Sequence, residues 1–232
     1  MKALMIVTTM TLLTAAPLCA QERAGQDPRG YVAGLGGFAT SLGTTGNTTG
    51  DVRFEGGVRI APHLMVIANV GRFADLQPDL QPTLAATTAA LAANQGVFVT
   101  GGGSLPAWYG TGGVRAEIPA GNRVFPYALA TVGIARLNPS PAFMFSSGVL
   151  PDGSTPAVGT DVTAVLTAAG AVTTSVSSTA PMFTLGGGVQ IPVSSRVAVD
   201  VGYRYSRINA DTALSALPLN ANGLTFGIGY RF

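Results

Sequence analysis

The side chains with chemical reach recur at even spacing along the chain. In DVRFEGGVRI, Asp51, Arg53, Glu55 and Arg59 stand two or four residues apart. Arg115 and Glu117 repeat the spacing of two, Asp200 and Arg204 that of four, and Arg231 is the last charged residue. On an extended strand such intervals put every charge on one face. Arginines and carboxylates gathered into one space can do two things: pair, or exchange partners and so gate the passage of charged solutes. Glu55, Arg115 and Asp200 lie nearest mid-strand and are the gate candidates, where neutralising Glu55 should raise conductance.

Catalytic chemistry finds less support. His63 is the only histidine. It falls in a three-residue turn, Ala61 to His63, without the partners that a zinc site or a Ser, His, Asp constellation requires, and it reads as a turn or interface residue. The GGG runs at 101–103 and 186–188 lack the lysine and following helix of a phosphate-binding loop. No catalytic, cofactor-binding or metal-binding residue is assigned, no cofactor is expected, and the chain is not read as an enzyme. Lys2 is the only lysine, and the twelve arginines are matched by eleven acidic residues, which argues against a nucleic-acid partner.

The elements that must position these charges follow from composition and periodicity. The chain is 47% hydrophobic and only 10% charged, against roughly 25% charged for ordinary globular proteins. Residues 1–20 have the layout of a secretory signal peptide: Lys2, an apolar stretch, then a small-residue exit at Ala20. Cys19 follows Ala16, Pro17 and Leu18, a poor match to a lipid-attachment box, so the cut is placed after Ala20. Beyond it no apolar run reaches the roughly 18 residues of a spanning helix. A chain this apolar has one other way through a membrane, a closed barrel that pairs every backbone polar group.

Period-two alternation supports that solution. Leu224, Phe226, Ile228, Tyr230 and Phe232 share one face, with Thr225, Gly227, Gly229 and Arg231 on the other. Val197, Val199, Val201, Tyr203 and Tyr205 alternate with Arg196, Ala198, Asp200, Gly202, Arg204 and Ser206. Segments 51–60 and 182–191 alternate as clearly, and 30–40, 64–73, 107–118 and 124–137 more weakly. The total is eight strands. The connections alternate long and short: 41–50, 74–106, 138–181 and 208–223 are long, while 61–63, 119–123 and 192–195 are short. In a meander this places all long loops at one end. Within them, 80–94 and 161–172 suit short helices, either folding over the mouth or forming an adhesive surface.

Orientation is read from the aromatics. With polar faces inward, Tyr31, Phe125, Tyr127, Tyr230 and Phe232 form an outward girdle at the short-turn end, and Trp108, Phe183, Tyr203 and Tyr205 one at the long-loop end. A soluble barrel or sandwich would instead bury the aromatics and expose Arg53, Glu55, Asp200 and Arg204. The lumen then receives Arg53, Glu55, Arg59, Arg115, Glu117, Asp200, Arg204 and Arg231, with Asn69 and Gln190 as neutral partners. Gly34, Gly36, Gly186, Gly188, Gly202, Gly227 and Gly229 are assigned inward as space for arginines. Because eight strands enclose little more than their own side chains, the charges are read as a packed polar plug, with a narrow gated pore as the alternative.

The terminal GLTFGIGYRF, with Phe232 last and Tyr230 two before it, resembles the signal by which outer-membrane barrels are handed to their assembly machinery. Together with the strand count and loop pattern, it resembles the small-barrel family that includes OmpX and the membrane domain of OmpA. The resemblance implies an all-β, eight-stranded antiparallel up-and-down transmembrane β-barrel in the outer membrane of a Gram-negative-type bacterium. It divides the chain into a signal peptide (1–20), a short leader (21–29) and a barrel domain (30–232). The expected partners are outer-membrane lipid, the assembly machinery and a surface partner met by the long loops, with the protein a monomer.

Overall fold

The computed structural model describes residues 29–41, 48–76, 81–118, 124–172, 177–209 and 218–232. The segment read as a signal peptide with Cys19, and the leader as far as residue 28, lie outside the described residues. Twelve elements follow in order: β1 (Gly30–Ser41), β2 (Thr48–Ala61), β3 (Leu64–Phe73), α1 (Gln81–Gln95), β4 (Phe98–Ser104), β5 (Ala107–Glu117), β6 (Phe125–Leu137), β7 (Ser140–Ser147), α2 (Thr163–Ala168), β8 (Ser178–Pro192), β9 (Val197–Ile208) and β10 (Leu219–Arg231).

Eight of the strands close a barrel in the order β1, β10, β9, β8, β6, β5, β3, β2, every neighbouring pair antiparallel. Closure leaves no unpaired edge, the condition for a sheet to stand in lipid. The last rung is reciprocal: the Gly30 amide donates to the Phe232 carbonyl and the Phe232 amide to that of Gly30, at 2.9 and 3.0 Å. Along the strands one face is apolar and outward, carrying Val52, Phe54, Val58, Val132, Ile134, Leu185, Leu224, Phe226 and Ile228, and the other is buried. No described helix is long and apolar enough to cross a membrane.

Several strands run further toward the long-loop end than the alternation indicates. β2 begins at Thr48, β8 at Ser178 and β10 at Leu219. Those extensions carry Thr, Ser and Asn, which suit either face of a strand in water, so the apolar signal fades before the hydrogen bonding does. At the opposite end β2 turns into β3 through His63, whose φ of +65° makes it a non-glycine residue in the left-handed region.

The two longest connections are folded. β4 pairs with β7, and the pairing Ser104 with Ser140 continues that of Ala107 with Leu137 without a slip. The β5–β6 hairpin therefore extends beyond the barrel as a ribbon, and the Asn138 amide donates to the Pro106 carbonyl at 3.0 Å where the two parts join. α1 lies on one face of the ribbon: a β-carbon on Gly101 would come within 3.2 Å of Leu84 and Thr88. Leu84, Leu91, Val97, Phe143, Phe145, Leu150, Val162, Leu166 and Val172 form a separate apolar core there. The two sequence-predicted helices correspond to α1 and α2, while the ribbon was not foreseen.

Candidate functional site

The lumen is built in layers from the inward positions of the strands. At the short-turn end, Arg59 on β2 donates to Glu117 on β5 at 3.0 Å. Arg231 on β10 donates to the Gln190 amide oxygen and lies over the Phe125 ring, 4.9 Å from its centroid.

Arg115 occupies mid-height with no solvent exposure. Its Nη1 stands 3.4 Å from Glu55 Oε1 and 3.6 Å from Asp200 Oδ2, and its Nη2 is 3.7 Å from Glu117 Oε1. The guanidinium is also sandwiched by rings, 3.7 Å from the Tyr127 centroid and 5.0 Å from that of Tyr31. The two phenols hold the carboxylates in place: Tyr31 donates to Glu55, and Tyr127 donates to Asp200 at 2.7 Å. Arg204 completes the group, 2.9 Å from Glu55 Oε2. That pair is close enough for ion pairing without the alignment of a hydrogen bond.

Above this layer Arg53 pairs with Asp51, and Tyr109 donates to the same carboxylate at 2.9 Å. An apolar cap then closes the barrel, formed by Phe73, Leu76, Leu105, Leu137, Met182 and Ile208 with small residues between them. Leu76 and Leu105 come from outside the barrel strands and are clasped to each other. The Leu76 amide donates to the Leu105 carbonyl at 2.9 Å, and the Leu105 amide to Asp75 Oδ1 at 2.7 Å. The voids beside Arg204 and beside Arg231 measure about 10 Å³ each, room for no more than one water apiece.

The structure thus brings Glu55, Arg115 and Asp200 into one cluster and gathers Arg53, Arg59, Glu117, Arg204 and Arg231 around it. Asn69 is inward and buried.

The aromatic assignment requires correction. Tyr31 and Tyr127, read as outward, point inward and are only 3% and 4% exposed. Phe125 also faces the lumen, beneath Arg231. The physical reason is the match of hydroxyl to carboxylate, together with slots left by glycines: a β-carbon on Gly57 would meet Tyr31 at 2.4 Å, and one on Gly188 or Gly202 would meet the Tyr127 hydroxyl at 2.7 Å. The parity of β1 reverses with Tyr31, so Gly34 and Gly36 face outward while Ala33 and Leu35 are buried. Trp108, Tyr203, Tyr230 and Phe232 are exposed on the outside, and Phe183 and Tyr205 are half-buried there, with their rings 6.3 Å apart. The outward aromatics are therefore concentrated at the long-loop end, leaving Tyr230 and Phe232 at the other.

Sequence reasoning did not single out Tyr31, Tyr109 and Tyr127 as partners of buried carboxylates. For Tyr109 the signal was available, since it shares strand parity with Arg115 and Glu117.

Among solved structures the chain is similar to the neisserial surface protein A. The two share 16% identity over 88% of this chain and 97% of that one, with a TM-score of 0.52. It is also similar to Ail, the attachment invasion locus protein of Yersinia pestis, at 12% identity over 89% and 100% with a TM-score of 0.49. The N-terminal barrel domain of Pseudomonas aeruginosa OprF gives 8% identity over 89% and 100%, with a TM-score of 0.44. At these identities the likeness concerns the fold, and only the first has a TM-score above 0.5. No curated protein matches the sequence. The family model for the outer membrane protein beta-barrel domain matches residues 9–232. With the closed eight-stranded barrel and its apolar exterior, that match places the chain in the outer membrane protein beta-barrel domain family.

Proposed function

We propose that the protein works at the cell surface, its barrel serving as a sealed carrier for the folded crown formed by β4, β7, α1 and α2. The observation that carries this reading is the crown's own apolar core, with Leu166, Val97 and Val162 at most 2% exposed. A loop that merely links two strands has no need of a core, whereas a surface that must present a fixed shape does. The filled lumen supports the same reading, because a plugged barrel contributes anchorage rather than transport. On this reading the protein is a monomer in outer-membrane lipid without catalytic activity. Tyr230 and Phe232 address it to the barrel-assembly machinery, and the crown meets an external partner.

The test has two arms. Ser154, exposed in the crown, is replaced by cysteine and challenged on intact cells with a membrane-impermeant maleimide; labelling before lysis is expected. Cells carrying a variant with residues 81–104 and 140–172 replaced by short turns should lose surface contact, while the barrel keeps its heat-dependent gel shift. Labelling only after lysis, or unchanged contact without the crown, would overturn the proposal. The charged lumen is the observation that favours the second reading, a narrow pore.

A further inference from the structure

The charges on the outside of the barrel are distributed differently from those inside. Asp51, Glu55, Glu117 and Asp200 all face the lumen, whereas Arg72 and Arg136 are exposed on the outer face. Their positions are coupled: Arg72 on β3 pairs across to Trp108 on β5, and Trp108 pairs across to Arg136 on β6. The three side chains stand in one row over three adjacent strands. With strands ~4.8 Å apart, the two arginine backbones are roughly 10 Å from each other with the indole between them. Arg72 lies over that indole, 5.5 Å from its ring centroid, and Trp108 is 54% exposed. Among the described residues neither arginine is in an ion pair with a carboxylate. The Arg136 Nη2 donates to the Ser177 hydroxyl at 3.2 Å.

The height of the row is set by the strand. From Ile118, just past β5, up to Trp108 is roughly 33 Å of extended chain, or about 25 Å along the barrel axis at a tilt near 40°. That is the height of the apolar band of an outer-membrane barrel. Below the row the outward residues are Val66, Ala68 and Val70, Val114, and Val132 and Ile134, with no charge among them. The guanidiniums therefore sit where hydrocarbon gives way to headgroups. Arginine there is suited to phosphate, which accepts two parallel N–H bonds from its planar fork.

We infer that Arg72, Trp108 and Arg136 form a binding site for the phosphorylated glycolipid of the outward leaflet, the arginines holding phosphate and the indole resting against the sugar and upper acyl region. The choice of glycolipid over glycerophospholipid rests on the proposed orientation, in which the long-loop end faces outward and meets the leaflet built of lipopolysaccharide. A third outward arginine, Arg207, shares the face of Tyr203 and Tyr205 on β9 and donates to Asn209 at 3.1 Å.

The test uses the full-length barrel in nanodiscs containing lipopolysaccharide or, separately, phosphatidylglycerol. Retained lipid is read by native mass spectrometry after release into mild detergent. Wild type should retain lipopolysaccharide. R72Q/R136Q should retain at least tenfold less, R72K/R136K should fall between the two, and all three should show the same heat-dependent gel shift. Equal retention by wild type and R72Q/R136Q, or retention of phosphatidylglycerol alone, would overturn the inference. The Ser154→Cys labelling separates the two levels. Surface labelling without lipopolysaccharide retention sinks this site and leaves the orientation standing, whereas labelling only after lysis sinks the orientation itself.

Discussion

Arg115 in the barrel and Leu166 in the crown are both shut away from solvent, and their surroundings are opposite. Arg115 is enclosed by Glu55, Asp200, Glu117 and the rings of Tyr31 and Tyr127. Leu166 is enclosed by apolar residues of the ribbon and its helices. The barrel holds its ions among a smaller apolar set, Ala33, Leu35, Met65, Ile67 and Leu129, whereas the crown's core is hydrocarbon alone. The inversion follows from the solvent each region meets. Lipid takes an apolar face from every barrel strand, which frees the interior to hold charge, whereas the crown must bury its apolar side chains because nothing else will. The two cores should therefore fail differently.

The largest effect is expected in the lumen. Arg115→Met removes the cation shared by Glu55 and Asp200 and leaves buried carboxylates uncompensated, a loss of ~3–5 kcal/mol. Denaturant unfolding of the micelle-embedded barrel should show it, and Tyr31→Phe should show a smaller loss. An unchanged midpoint for Arg115→Met would mean that the ions do not hold the lumen together. In the crown, Leu166→Ala should cost ~2–4 kcal/mol, confined to that region. Limited proteolysis should clip the segment around α2 while the barrel strands stay intact. Loss of the barrel as well would join the two cores into one cooperative unit.

Smaller effects sharpen the contrast. Gly188→Val would drive a β-carbon against the Tyr127 hydroxyl, at 2.7 Å, and the Val201 carbonyl, at 2.5 Å. A loss of ~1–3 kcal/mol is expected, again read from the unfolding midpoint. His63→Gly relieves a left-handed backbone at the short turn and should stabilise by ~1 kcal/mol.

The smallest effect is a response to acid in the crown. Asp161 accepts hydrogen bonds from the Thr163 amide at 2.9 Å and hydroxyl at 2.6 Å, which hold its carboxyl below the usual carboxylate range. The native state thus favours the ionised form. The contribution is complete above the free-carboxylate pKa and is lost as the pH falls through the lowered one. Amide exchange at Thr163 should quicken over that acid range, and Asp161→Ala should remove the pH dependence.

The barrel was legible where lipid imposes a strict pattern. In β10 and β9, Leu224 to Phe232 and Val197 to Tyr205 alternate without a break, because one face must be apolar and the other must hold Arg204, Asp200 and Arg231. In β1 and β6 small apolar residues occupy both faces, so only the aromatics were available to set the parity. Tyrosine is ambiguous in that role, since a membrane interface and a buried carboxylate both suit a ring with one hydroxyl. Tyr31 and Tyr127 found carboxylates. The ribbon was illegible for a different reason: FVTGGGS and SPAFMFSS lack period two, and their strand form comes from continuing the register of β5 and β6. The charged cluster was readable from parity alone, but the cap above it depends on Leu76 and Leu105 returning from the loops, which no local pattern announces.

The sealed lumen is the feature on which the division between carrier and crown depends, and ion flow tests it most directly. Purified wild-type barrel and its Glu55→Gln variant would be placed in a planar bilayer and recorded at single-channel resolution. With Arg115 locked between carboxylates and rings, and the apolar cap above it, wild type is expected to give no conductance steps. Steady channels in wild type, with a conductance altered by Glu55→Gln, would contradict the account and make the charged layer a gate.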